Sequence, residues 1–147
     1  MTIPQALDPQ AGQAPAERVS ARPPVQVLFV DDDVDFRQAM KVLLEREGYE
    51  VKIASNGSRA LELLRARAFD VMVTDLFMPQ MDGFETMIEA RRDAPSLKIS
   101  AMSSGGVLCK PERYLSTAGV AGADATLRKP FQIEALLEIL DELVKAA

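Results

Sequence analysis

From Val25 onward, short apolar runs alternate with amphipathic stretches, and this alternation is the strongest constraint on the fold. The runs lie at about Val25 to Val30, Glu50 to Ala54, Asp70 to Thr74, Lys98 to Met102 and Ala123 to Leu127. Each has strand length, and each is followed by a stretch whose apolar residues recur at helical spacing. A β-α order kept this strictly implies a parallel sheet with helices on both faces, because right-handed crossovers place them there. The expected class is therefore α/β.

The intervening stretches carry helix signals. Phe36, Ala39, Met40, Leu43 and Leu44 form an i, i+3, i+4, i+7, i+8 stripe, and Gly48 follows where a left-handed cap would sit. Asn56-Gly57 reads as a turn before a helix at about Ser58 to Ala68, with Leu61 and Leu64 inward. Asp82 and Glu85 are spaced as a capping pair for a helix burying Phe84, Met87 and Ile88. A helix at about Pro111 to Ala118 has blurred, glycine-flanked ends. Pro130 suits the first turn of a last helix striped by Ile133, Leu136, Leu137, Leu140 and Val144.

Residues 1–24 differ. They hold five of the nine prolines, with many Gln and Ala, and show no periodicity, so a disordered tail is expected before a single domain at 25–147. The last helix reaches the end of the sequence, so no fused module is expected after it. The single cysteine, Cys109, excludes an internal disulfide framework and suits a reducing cytoplasm. The absence of histidine removes the usual zinc ligand and general base. A net charge of −5 without a basic patch argues against nucleic acid, and no apolar run is long enough for membrane insertion. Chemistry must come from carboxylates, hydroxyls and lysine.

Those groups gather at one place. The carboxyl edge of a parallel sheet is where ligands bind, and the strands end there on Asp31 and Asp32, on Asp75, on Ser103, and near Lys129. Carboxylates brought together this closely repel one another and call for a cation. Hard oxygen ligands suit Mg²⁺, and an ammonium supplies a point charge for phosphoryl oxygens. Asp33 is assigned to capping the first helix, and Asp35 to a solvated position in its first turn. The methionines read as core filler.

The motifs V-D-D-D after the first strand, T-D-x-x-M-P-x-M-D-G around Asp75, A-M-S-S-G-G after the fourth strand and L-R-K-P-F near the fifth resemble the receiver domain of bacterial two-component response regulators. The resemblance runs from about Val25 to Ala147, and the motifs together are highly specific. It implies a flavodoxin-like five-stranded sheet of order 2-1-3-4-5. It also implies that Asp75 is the phosphoacceptor for a histidine kinase or histidine phosphotransfer protein. Asp32, Asp75 and the Phe77 backbone carbonyl would bind Mg²⁺, with Asp31 acting largely through water. Ser103, preferred to Ser104 because it comes first past the strand's edge, would supply the switch hydroxyl and Lys129 a phosphoryl contact, its bond to Pro130 often being cis in the family. The implied output is a changed surface for a downstream protein target. No separate turnover substrate is implied, so the chain is not expected to be an enzyme in the ordinary sense.

Three positions depart from the pattern. Thr126 stands where many members carry an inward-swinging Tyr or Phe. Phe77 is apolar where a polar side chain is common, and with Gly105 it is expected to set water access to an acyl phosphate. The long segment Gly105 to Pro111 is expected to form a phosphorylation-sensitive contact surface. Two other functions compete with the switch: a phosphorylation-independent scaffold, which the complete acidic set disfavours, and an aspartate-nucleophile phosphohydrolase. The second wants D-x-D-x-T/V, and Asp31-Asp32-Asp33-Val34-Asp35 fails its last position. A flavin module is disfavoured because an acidic edge repels the flavin phosphate.

Overall fold

A computed structural model of the chain describes residues 23–76, 83–103 and 122–146. Strands β1 (Gln26–Val30), β2 (Glu50–Ala54), β3 (Val71–Asp75), β4 (Lys98–Ser103) and β5 (Ala125–Arg128) form one sheet, ordered β2-β1-β3-β4-β5. Every pairing is parallel. Among the described residues the helices are α1 (Val34–Arg46), α2 (Gly57–Ala66), α3 (Gly83–Asp93) and α4 (Ile133–Lys145).

Alternation along the strands divides the core in two. Leu28, Val30, Met72, Ile99 and Ala101 pack toward α2 and α3, together with Ala60, Leu61, Met87 and Ala90. Val27, Phe29, Val71, Val73 and Met102 pack toward α1 and α4, with Met40, Leu44, Leu136, Leu140 and Leu143. The central strands are buried on both faces and are therefore almost continuously apolar. Full burial of each such side chain contributes roughly 1.5–3 kcal/mol. The fold is the doubly covered α/β sheet that the alternation implies.

Local chemistry sets the ends of these elements. Asp33 caps α1, its Oδ1 accepting the Phe36 N–H at 3.1 Å. Gly48 takes a φ of +97° at the turn into β2. Asn56 is the N-cap of α2, accepting the Arg59 N–H at 2.8 Å, so the Asn-Gly pair starts a helix instead of forming a free turn. Asp82, expected to cap α3, lies outside the described residues, as does the helix expected at about Pro111 to Ala118.

Some expected core positions are corrected. Ala39 is exposed and Ile88 is 56% exposed. In α3 the buried arc is Gly83, Thr86, Met87 and Ala90, because small residues bring that helix close to the sheet and turn Ile88 outward. Pro130 precedes α4 and is not in its first turn, since Gln132 is the N-cap. No helix among the described residues is long and apolar enough to cross a membrane.

Candidate functional site

Sheet register alone brings the first two acids together. Val30 pairs with Thr74, so one residue further along each strand sets Asp31 beside Asp75 at the carboxyl edge. Both are buried, and Asp32 is exposed. One carboxylate oxygen from each of Asp31, Asp32 and Asp75 lies within 4.8 Å of the others. The expected acidic cluster is therefore assembled, with its two inner members shielded by the sheet and its third open to solvent.

Asp31 is held at several points. Its N–H continues the β1–β2 ladder to the Ala54 carbonyl at 3.1 Å. Its Oδ1 accepts the Asp33 N–H at 2.9 Å, and its own carbonyl accepts from the Arg37 guanidinium at 3.0 Å. The remaining oxygen, Oδ2, accepts from Lys129 Nζ at 2.7 Å, and the same ammonium lies 3.4 Å from Asp75 Oδ2. Burial pushes the Lys129 ammonium down, but hydrogen bonds and charge from Asp31 and Asp75 outweigh it, so its pKa stands above the ordinary lysine value. Lys129 is thus a charged counter-ion set between two acids.

Chain geometry on the far side fixes that lysine. The Lys129 N–H donates to the Ser103 carbonyl at 3.0 Å, and the Lys129-Pro130 bond is cis. Ser103 is the last residue of β4, fully buried and paired with Arg128. Thr126 is exposed on β5, opposite Ala101. Phe77, Ser104 and Gly105 to Pro111 lie outside the described residues.

Three residues escaped the sequence reading. Gly83 is buried where α3 begins, and its N–H donates to the Leu76 carbonyl at 3.1 Å. A Cβ there would stand 2.3 Å from the Asp75 carbonyl oxygen and 2.6 Å from Leu76 Cα. Only glycine lets α3 start against the backbone that carries Asp75, and the Asp-Gly ending the long motif was the available signal. By its spacing Phe36 belongs to the core stripe of α1, yet its ring centroid lies 4.8 Å from Lys129 Nζ. Arg37, anchoring the Asp31 carbonyl, had no sequence signal.

The donor set suits a hard divalent cation. Two oxygens bound directly to one Mg²⁺ are at most about 4.2 Å apart, twice the usual bond length, and Mg²⁺ commonly keeps several waters. A cluster spanning up to 4.8 Å accommodates such an ion with some contacts direct and some through water. Chemically, the edge offers carboxylate oxygens, one fixed ammonium and strand-end backbone carbonyls.

The family model described as the response regulator receiver domain matches residues 27–141. The response regulator MprA of Mycolicibacterium vanbaalenii is 34% identical over 122 residues, covering 83% of this chain and 51% of that protein. The chain thus spans about half the length of the curated relatives it matches. Among solved structures, the chemotaxis protein CheY4 of Vibrio cholerae aligns with a TM-score of 0.73 at 33% identity, over 82% of this chain and 98% of that one. The response regulator TrrA of Thermotoga maritima, solved in complex with Mg²⁺–BeF, aligns at 0.72 and 30% identity, over 81% and 98%.

Proposed function

This chain belongs to the response regulator receiver family, and from that we propose that it is a phosphorylation-dependent switch whose Asp75 accepts a phosphoryl group from a histidine kinase or histidine phosphotransfer protein. One observation carries the reading: Asp31, Asp32 and Asp75 converge at the sheet edge with Lys129 between two of them. The likeness to a regulator solved with Mg²⁺–BeF supports it further.

An Asp75 carboxylate oxygen attacks the phosphorus of the donor's phosphohistidine. The new O–P bond forms as the P–N bond breaks, and the imidazole leaves with the bonding pair and takes up a proton. The product is an acyl phosphate on Asp75. Lys129 turns its ammonium to one phosphoryl oxygen and Ser103 its hydroxyl to another. Asp32, Asp75 and the Phe77 carbonyl would hold Mg²⁺, with Asp31 acting largely through water. When bound, the ion neutralises charge on the phosphoryl oxygens. Little covalent chemistry is asked of the side chains, so positioning and charge neutralisation provide most of the acceleration. The chain promotes its own phosphorylation and dephosphorylation and turns over no separate substrate.

The output is an altered surface for a downstream protein target in the cytoplasm. Thr126 is too small to fill the volume that an inward-swinging aromatic occupies, so the segment Gly105 to Pro111 takes the reporting role in this proposal. Phe77 and Gly105 set the lifetime of the acyl phosphate by limiting water access.

The test is mass spectrometry after incubation with acetyl phosphate and Mg²⁺. Wild type gains one phosphoryl group and Asp75→Asn gains none. An unmodified wild type would reduce the chain to a scaffold.

A further inference from the structure

We propose that Phe36 is a positioning residue for phosphoryl transfer: its aromatic face holds the Lys129 ammonium at the acidic cluster. The inference rests on the function proposed above for Lys129. An ammonium on a four-carbon stem is flexible and has no planar fork to fix its direction. Here it needs to reach two carboxylates and then a phosphoryl oxygen without escaping to water. Its Nζ lies 2.7 Å from Asp31 Oδ2 and 3.4 Å from Asp75 Oδ2. The Phe36 centroid, 4.8 Å away, is within the range at which a ring's negative face attracts a cation.

The ring is itself fixed. Phe29, fully buried in β1, meets Phe36 at a centroid distance of 5.9 Å and an interplanar angle of 58°. Phe131, two residues after Lys129, meets it edge-on at 6.0 Å and 73°. Three aromatic residues thus join the strand that leads into Asp31, the helix capped by Asp33, and the turn that presents Lys129. Phe36 follows that cap by three residues, so capping sets the ring's height above the sheet edge. An aliphatic residue at position 36 would fill the same core face but would offer the cation no π density.

The ring's electronics separate this role from packing. Fluorinated phenylalanines of nearly constant size weaken the ring's negative face stepwise, and they can be placed at position 36 by codon reassignment. With acetyl phosphate and Mg²⁺, the phosphorylation rate should fall stepwise along the series, by about 2- to 30-fold in all, the range of a partly desolvated cation–π contact. Phe36→Tyr should keep the wild-type rate, and Phe36→Leu should match the most fluorinated protein. Equal rates along the series would overturn the proposal, even if Phe36→Leu is slow.

A second measurement needs no phosphorylation. In urea denaturation of wild type, Phe36→Leu, Lys129→Met and the double variant, the two changes should couple by about 2- to 30-fold in the unfolding constant. Additive effects would overturn the proposal. Coupling in a wild type that takes up no phosphoryl group would support the contact and defeat the phosphoacceptor reading.

Discussion

The Lys129 ammonium lies 2.7 Å from Asp31 Oδ2, although 98 positions separate the two residues in the chain. Their meeting is a product of topology. β1 is an interior strand and β5 is at the sheet's edge, and the cis Lys129-Pro130 turn follows β5. Removing the ammonium would leave two buried carboxylates without their shared cation. Lys129→Met is therefore expected to destabilise the Mg²⁺-free protein by about 2 kcal/mol, read from urea denaturation. An unchanged midpoint would mean that the acids are neutralised some other way.

Divalent cation should act on the same cluster. Mg²⁺ binding to the folded chain stabilises it by mass action. The melting temperature should rise with Mg²⁺ and return on chelation, and Asp32→Asn should suppress the response. Calorimetric scans across a Mg²⁺ titration check this, and an equal rise in Asp32→Asn would remove Asp32 from the ligand set.

Gly83→Ala should be among the most damaging single-methyl changes in the molecule. The added carbon would meet backbone atoms at 2.3 and 2.6 Å, and backbone cannot turn aside as a side chain can. A loss of roughly 2–3 kcal/mol is expected from chemical denaturation. Phosphorylation should suffer as well, because the displaced backbone carries Asp75.

Ser100 lies fully buried in β4, between Val73 and Ala125, and its hydroxyl has no hydrogen-bond partner among the described residues. A buried hydroxyl without a partner costs free energy. Ser100→Ala is expected to raise stability by about 1 kcal/mol, with no effect on phosphorylation. A loss of stability would imply a bond to buried water.

Among the described residues, two partly buried groups bias the fold against alkaline pH. Burial, then the charges of Asp141 and Glu47, hold the Tyr49 hydroxyl above its usual pKa, and Lys129 is raised despite its burial. In each case the folded state keeps its proton longer than the unfolded chain. Their stabilisation is fully present below the unfolded values, about 10 to 10.4, and is lost as pH rises through the folded ones. Denaturation midpoints should be insensitive to these groups at neutral pH and fall above about pH 10. Tyr49→Phe should lessen that fall, and an identical profile would exclude Tyr49.

Much of this molecule is legible from nearest-neighbour chemistry. The bounds of β2, the Asp33 cap and the left-handed Gly48 all follow from local rules, since the groups involved lie within a few residues of one another. The acidic residues could also be read, because strands that end on carboxylates in a parallel sheet must present them at one edge. Local pattern fails where packing chooses among apolar residues. Ile88 fits the helical stripe of α3, yet Gly83 and Ala90 take the face against the sheet because they allow a closer approach.

The sequence by itself determined the alternation of strands and helices, the parallel sheet, and the acids, hydroxyl and lysine available at its carboxyl edge. These rest on periodicity and on the residue type at each strand's end, both properties of short segments. Tertiary structure alone decided that Lys129 bridges Asp31 and Asp75, that Phe36 faces that ammonium, and that position 83 has no room for a side chain. The Lys129 contacts join segments far apart in the chain through strand order and register, and Gly83 is pressed against the end of β3 where α3 begins; no local pattern encodes either approach.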